Sequence, residues 1–299
     1  MARLIRARRW LAGLAPGWRA LGYVVLVVGF AGAEIWLLAR LNLTWMQPQA
    51  QLGAGFVMLN ELLLLLPVLL ASWVMAHIEG RSVLSYGLSG ARAARLLGAG
   101  LLVGVVTLSF LMALLLAGGL AQFHWSGLPV PAGVGFALAW LGTSLLIGLT
   151  EELAFRGYLQ QTLARGMGFW PAALLTSLAF GTLHLFNAHE SAIGILNVFG
   201  VGMILCLALQ RTKSLWWPIG FHAGWDYSES FLYGAHDSGQ SCAGALLDTV
   251  PTGPAWLSGA VTGPEGSALG LVVELLAAVA VFLLLRSRMT IFDLDQSIT

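Results

Sequence analysis

Eight uninterrupted apolar runs, near residues 21–39, 55–76, 96–119, 133–150, 170–186, 191–210, 214–231 and 267–285, decide what this chain can fold into. Each approaches the roughly 20 helical residues that cross a bilayer's hydrocarbon; the fifth and seventh are short and carry polar groups. Backbone in lipid must satisfy its own hydrogen bonds, which leaves helices or closed barrels, and these runs lack the alternation of a barrel strand. The expectation is an all-α polytopic membrane helix bundle with about eight transmembrane helices. Only 10% of the 299 residues are charged, against about 25% in soluble domains. A net charge of +1 offers little to a nucleic acid. The first run follows a basic flank, as a secretion signal does, but it is longer than a signal core and no small-residue cleavage site follows, so it reads as an uncleaved first helix.

Lysine and arginine test this map independently. Arg3, Arg6, Arg8, Arg9, Arg19, Arg81, Arg92, Arg95, Arg156, Arg165, Arg211, Lys213, Arg286 and Arg288 all fall on one side of an eight-span topology, and Arg40 alone falls on the other. The positive-inside rule then makes both termini cytoplasmic. Loop 232–266, with Asp237, Asp248 and Glu265 but no Lys or Arg, faces outward, to the periplasm in a bacterial inner membrane. This loop shows no strong period and is too small for a domain of its own, so residues 1–299 read as a single membrane domain. Cys206 and Cys242 sit in unlike settings, and neither belongs to a metal-spaced or redox pair.

Within this apolar background the ionisable residues are the informative ones, because such groups in a membrane usually face the bundle interior and carry function. In TEELAFRGYLQQTLAR, Glu151 and Glu152 differ by about 100° around a helix, and Arg156 lies four residues after Glu152. That spacing supports an ion pair, so one acid can be held while the other stays available for proton transfer. An interfacial Glu–Arg cap explains the motif equally well on its own. Farther along, Phe180 and His184 are one turn apart, and His222 and Asp226 likewise share a helix face. Singly, His184 reads as an interhelical hydrogen bond, and His222 with Asp226 as a buried structural couple. Together, acids and imidazoles from three helices suit amide hydrolysis, which needs an activated water, an oxyanion stabiliser and a proton for the leaving amine. The same side chains could bind a divalent metal, Zn²⁺ by preference, although no HExxH motif is present. Glu34, Glu61 and Glu274 could pair between helices or line a substrate path. His77 and His124 sit near span boundaries, Asn187, His189 and Glu190 follow His184 as possible lid groups, and Asn197 could bond between helices. Gly181, Gly200, Gly202, Gly220 and Gly224 suit close helix contacts.

These motifs, Glu151-Glu152-x-x-x-Arg156, Phe180-x-x-x-His184 and His222-x-x-x-Asp226 in that order, together with the phrase SLWWPIGFHAGWD, resemble the CPBP family of intramembrane peptidases. That family includes type II CAAX prenyl endopeptidases and bacterial proteins of bacteriocin processing or self-immunity. The resemblance implies a catalytic core over 133–231 in which Glu151 and His184 activate water. It further implies that His222 and Asp226 stabilise the oxyanion or contribute to a metal site. Glu152 and Arg156 would support them, the arginine also touching the substrate's C-terminal side. Many members carry Asn where this chain has Asp226, and an ionised Asp offers no amide donor. The implied partner is a membrane-associated peptide or protein substrate within the lipid bilayer. Two alternatives stay open: a non-proteolytic scaffold or immunity protein that binds peptide, and a proton-coupled transporter, for which no paired broken-helix repeat is apparent.

Overall fold

The computed structural model describes residues 13–43 and 51–285. The chain there is largely helical. In order it forms α1 (Pro16–Arg40), α2 (Ala54–Glu79), α3 (Ala93–Ala117), β1 (Ala121–Trp125), α4 (Val130–Glu152), α5 (Gln160–Met167) and α6 (Phe169–His184). Then come α7 (Ala192–Thr212), α8 (Trp216–Tyr227), β2 (Leu247–Pro251), α9 (Ala255–Ser258) and α10 (Ala268–Leu284). A π-helical stretch, Leu153–Leu159, joins α4 to α5, and another, Ser228–Tyr233, prolongs α8.

Five of these described segments are long and apolar enough to cross a bilayer, not the eight expected: Pro16–Arg40, Ala54–Glu79, Ala93–Ala117, Val130–Met167 and Ala192–Thr212. The other three runs do become helices, but α6, α8 and α10 hold 16, 12 and 17 residues. At 1.5 Å per residue they reach about 24, 18 and 26 Å. Hydropathy overcounted because an apolar run continues past the point where helical hydrogen bonding stops. α6 gives way to a turn after His184, α8 passes into π-helical turns, and α10 starts only where the Ser267 hydroxyl accepts from Leu269 N–H. Leu21, Val25 and Ile35 of α1, Leu62 and Trp73 of α2, Leu102 and Val106 of α3 and Leu275 and Phe282 of α10 are all exposed. So much apolar surface on several helices fits a lipid solvent and not water.

The inner bundle is organised by the contact of α3 with α8. A Cβ on Gly100 or Gly104 of α3 would overlap the carbonyl oxygens of Trp217 and Phe221, and one on Gly220 or Gly224 of α8 would overlap those of Leu97 and Leu101. Two Gly-x-x-x-Gly faces thus meet backbone to backbone, the arrangement that lets helices associate where lipid removes the hydrophobic drive between them. Trp217, Phe221 and Trp225 stack along α8 with ring centroids 5.5 and 6.3 Å apart, and they pack with Leu108, Leu111 and Leu205. His222 is two residues from Gly220, about 200° around the helix. Seating the glycines on α3 therefore turns His222 and Asp226 away from α3.

Loop 232–266 is pinned to the bundle. β2 pairs antiparallel with β1, from Ala121 opposite Pro251 to Trp125 opposite Leu247. Trp140 Nε1 donates to the Ala243 carbonyl at 3.0 Å, and Asn197 Nδ2 donates to the carbonyls of Glu265 and Ser267. Elsewhere, Glu79 gathers Arg19 (3.0 Å), Arg165 (3.5 Å) and Arg81 (3.7 Å), tying α1, α2 and α5 together. Arg3, Arg6, Arg8, Arg9, Arg286 and Arg288 lie outside the described residues.

Replacing Gly104 or Gly224 by Ala forces the two backbones apart, which as overpacking costs about 1–3 kcal/mol. Thermal unfolding in detergent should show a lower Tm for each. Gly29→Ala, where an added Cβ meets nothing within 4 Å, should leave Tm unchanged; equal effects at all three positions would refute the close contact.

Candidate active site

The end of α4 divides its two acids as the helical spacing requires. Glu152 is fully buried, and its Oε1 accepts from Arg156 Nη1 at 2.8 Å, with the arginine fully buried as well. The guanidinium also lies 4.5 Å from the Phe180 ring centroid, in space kept open by Gly202, whose missing side chain would sit 2.8 Å from Arg156 Nη2. Glu151 points elsewhere, and its Oε2 has no hydrogen-bond partner among the described residues. Directly after this pair the helix becomes π-helical and kinks at Gly157 (φ −71°, ψ −114°). Such turns recur at functional sites because they re-aim side chains.

α8 delivers a histidine into this group. His222 Nδ1 stands 3.2 Å from Glu152 Oε1. An ionised carboxylate only accepts, so with Glu152 charged the Nδ1–H donates to it. Nε2 then faces Glu151 Oε2 at 3.5 Å and Asp226 Oδ2 at 3.7 Å. Gly148 of α4 permits this approach, since a Cβ there would crowd the Ile219 carbonyl oxygen at 2.8 Å.

α6 supplies the second imidazole. His184 Nδ1 lies 3.0 Å from the Phe180 carbonyl oxygen. A carbonyl only accepts, so Nδ1 carries the proton and, in the neutral ring, Nε2 keeps a free lone pair. Phe180 packs edge-on against both rings, with centroids 4.7 Å from His184 and 6.2 Å from His222.

Glu151, His184, His222 and Asp226 all line one cavity of about 330 Å³. Glu152 and Arg156 are absent from its wall and stand behind His222 and Phe180. Arg156, with no exposed surface, is therefore not placed to touch a substrate's C-terminal side, a contact its motif suggested; burial against Glu152 and the aromatic ring takes it out of reach. Of the other polar residues singled out from the sequence, Glu61 and Asn187 also line the cavity, whereas Glu34, His77, His124, His189, Glu190, Asn197 and Glu274 do not.

Reading the sequence missed the loop's part in this wall. Asp237, Ser238, Gln240, Cys242 and Glu265 line the same space. Asp237 accepts from Ser230 at 2.7 Å, and Glu265 accepts from Trp225 Nε1 at 2.9 Å and from Ser238 at 2.8 Å. Burial, reinforced by Asp237, pushes the Glu265 carboxyl up to about 7. The only signal in the sequence was a loop with acids and no Lys or Arg.

Among the described residues, no three His, Cys, Asp or Glu side chains are arranged to hold a metal ion.

Residues 133–228, about a third of the chain, match a family model described as Type II CAAX prenyl endopeptidase Rce1-like. The matched segment is a CAAX protease-like domain, consistent with the broader CPBP family, and it contains all three motifs. No curated protein and no solved structure matches the chain.

Arg156→Met leaves the Glu152 carboxylate buried without its partner, which typically costs about 3–5 kcal/mol. A large fall in Tm is expected from thermal unfolding in detergent. Glu151→Gln, on the cavity wall, should unfold close to wild type; the reverse ranking would contradict the division of roles between the two acids.

Proposed function

We propose that this chain is an intramembrane endopeptidase that hydrolyses a peptide bond in a membrane-associated peptide or protein. The observation that carries the reading is the shared cavity: two acids and two imidazoles from three helices meet in one space inside an apolar bundle. The family match over 133–228 supports the same reaction class.

In this reading a water sits between Glu151 and His184. Glu151 takes one of its protons while the oxygen adds to the scissile carbonyl carbon. His184 Nε2, left as an acceptor by the bond from Nδ1 to Phe180, holds the second hydrogen and aims the attack. His222, fixed through Nδ1 by Glu152, presents Nε2 to the oxyanion, and when protonated there it donates to it. Asp226, 3.7 Å from that nitrogen, holds the ring's charge and orientation, so the donor that relatives draw from an Asn amide is supplied by the imidazolium. When the tetrahedral species collapses, the C–N bond breaks and the proton on Glu151 passes to the leaving amine. Excluding bulk water strengthens each of these electrostatic contacts.

The membrane placement belongs to the same proposal. Both termini are cytoplasmic and loop 232–266 faces outward, in a bacterial inner membrane. Trp140 is held by the loop, and Glu151 lies eleven residues on, about 16 Å deeper along α4.

Purified protein in proteoliposomes, incubated with a library of membrane-anchored peptides and read by mass spectrometry, should yield defined cleavage products. Glu151→Gln and His184→Ala should each lower turnover by about 10²–10⁴, the usual worth of a general acid–base group, with Tm retained. Folded variants that cleave as well as wild type would overturn the mechanism. Binding without cleavage in the wild type would favour the scaffold reading.

A further inference from the structure

The cavity wall is unbalanced in charge. Among the described residues it carries five acidic side chains, Glu61, Glu151, Asp226, Asp237 and Glu265, and two histidines, with no lysine or arginine. Glu151 and Asp226 lie 3.5 and 3.7 Å from His222, whereas Glu61, Asp237 and Glu265 feel the two imidazoles only at longer range. These three lie outside the segment matched by the family model, residues 133–228.

They are also aimed and held. Glu61 comes from α2, is only 9% exposed, and has Oε2 buried with no hydrogen-bond partner among the described residues. Asp237 and Glu265 are oriented by Ser230, Trp225 and Ser238, and each accepting oxygen keeps a second lone pair. A carboxyl group withdrawn from water stays charged only beside a compensating cation and otherwise takes up a proton, as burial of Glu265 favours. Leu52, Val57, Leu64 and Val198 line the same space, which suits the methylene stem of a long basic side chain.

We propose that Glu61, Asp237 and Glu265 form a subsite that receives a Lys or Arg side chain of the peptide substrate, making the enzyme selective for basic sequences. The assignment rests on the endopeptidase reading for its substrate, but not on turnover for its test. The charge of Asp237 is close enough to Glu151, His184 and His222 to interact with them, so a basic residue seated there lies near the bond being cut.

The test uses the full-length His184→Ala variant in nanodiscs, which keeps all five carboxylates, and a set of fluorescent membrane-anchored peptides. The peptides carry Lys, norleucine or Glu at one scanned position. At the best position the Lys peptide should bind about tenfold more tightly than the norleucine peptide, as a charge-assisted contact allows, and the Glu peptide more weakly than both. Adding Asp237→Asn with Glu265→Gln should shrink the Lys–norleucine gap to less than about twofold by the same accounting. Equal Kd values for Lys and norleucine at every position, or a gap that survives those substitutions in folded protein, would overturn the subsite. If the double variant does not fold, Glu61→Gln in the same background decides in the same way. Wild-type cleavage without basic preference removes the subsite and leaves the peptidase. A Lys preference in binding without any cleavage does the reverse.

Discussion

The contact on which the other placements depend is the glycine-to-glycine seam between α3 and α8. Lipid gives two apolar helices little reason to choose each other, so association rests on how closely the backbones can approach. Here four glycines, Gly100, Gly104, Gly220 and Gly224, remove the side chains that would hold the axes apart. Because α8 can sit on α3 in one rotation only, its opposite face is committed to α4, and that face carries His222 and Asp226. A chemical requirement is thus met by a steric one on the far side of the same helix.

From there the polar interior builds outward in order of cost. The buried Glu152–Arg156 pair would be expensive in isolation, since the attraction between buried charges often fails to offset their desolvation. It persists because Phe180 covers the guanidinium and His222 donates a bond to the same carboxylate. Glu151, one residue earlier, is thereby left facing water-accessible space. The two adjacent acids differ in environment, not in chemistry, and in the proposed mechanism that difference makes one the scaffold and the other the proton acceptor.

What could be read in the sequence follows the reach of helical periodicity. Glu152 with Arg156, Phe180 with His184 and His222 with Asp226 are four residues apart, and each pair meets in space because a helix brings i and i+4 onto one face. The gathering of three motifs in one cavity could be posed from the cost of polar groups in lipid. Other features lay beyond that reach. Asp237 and Glu265 enter the cavity through a loop whose path is set by strand pairing with residues 121–125, more than a hundred positions away. The π-helical turns after Glu152 and Tyr227 left no residue pattern to find. Gly220 and Gly224 read as contact residues, but their partners Gly100 and Gly104 did not, because a small-residue spacing names a face without naming what it meets. The count of long spans fell from eight to five because hydropathy measures composition, whereas a helix ends where its hydrogen bonds do.

The β1–β2 ribbon has one further consequence. Trp125 lies opposite Leu247, so the chain that departs after β1 returns to the same point before β2, and the whole of 133–228 is contained between those two positions. Entry and exit that coincide in space are the condition under which a segment can be inserted into, or exchanged between, host chains without rerouting them. The helices of the matched segment are in this sense a cassette clasped at its base, and one strand of the clasp belongs to the same loop that brings Asp237 and Glu265 to the cavity.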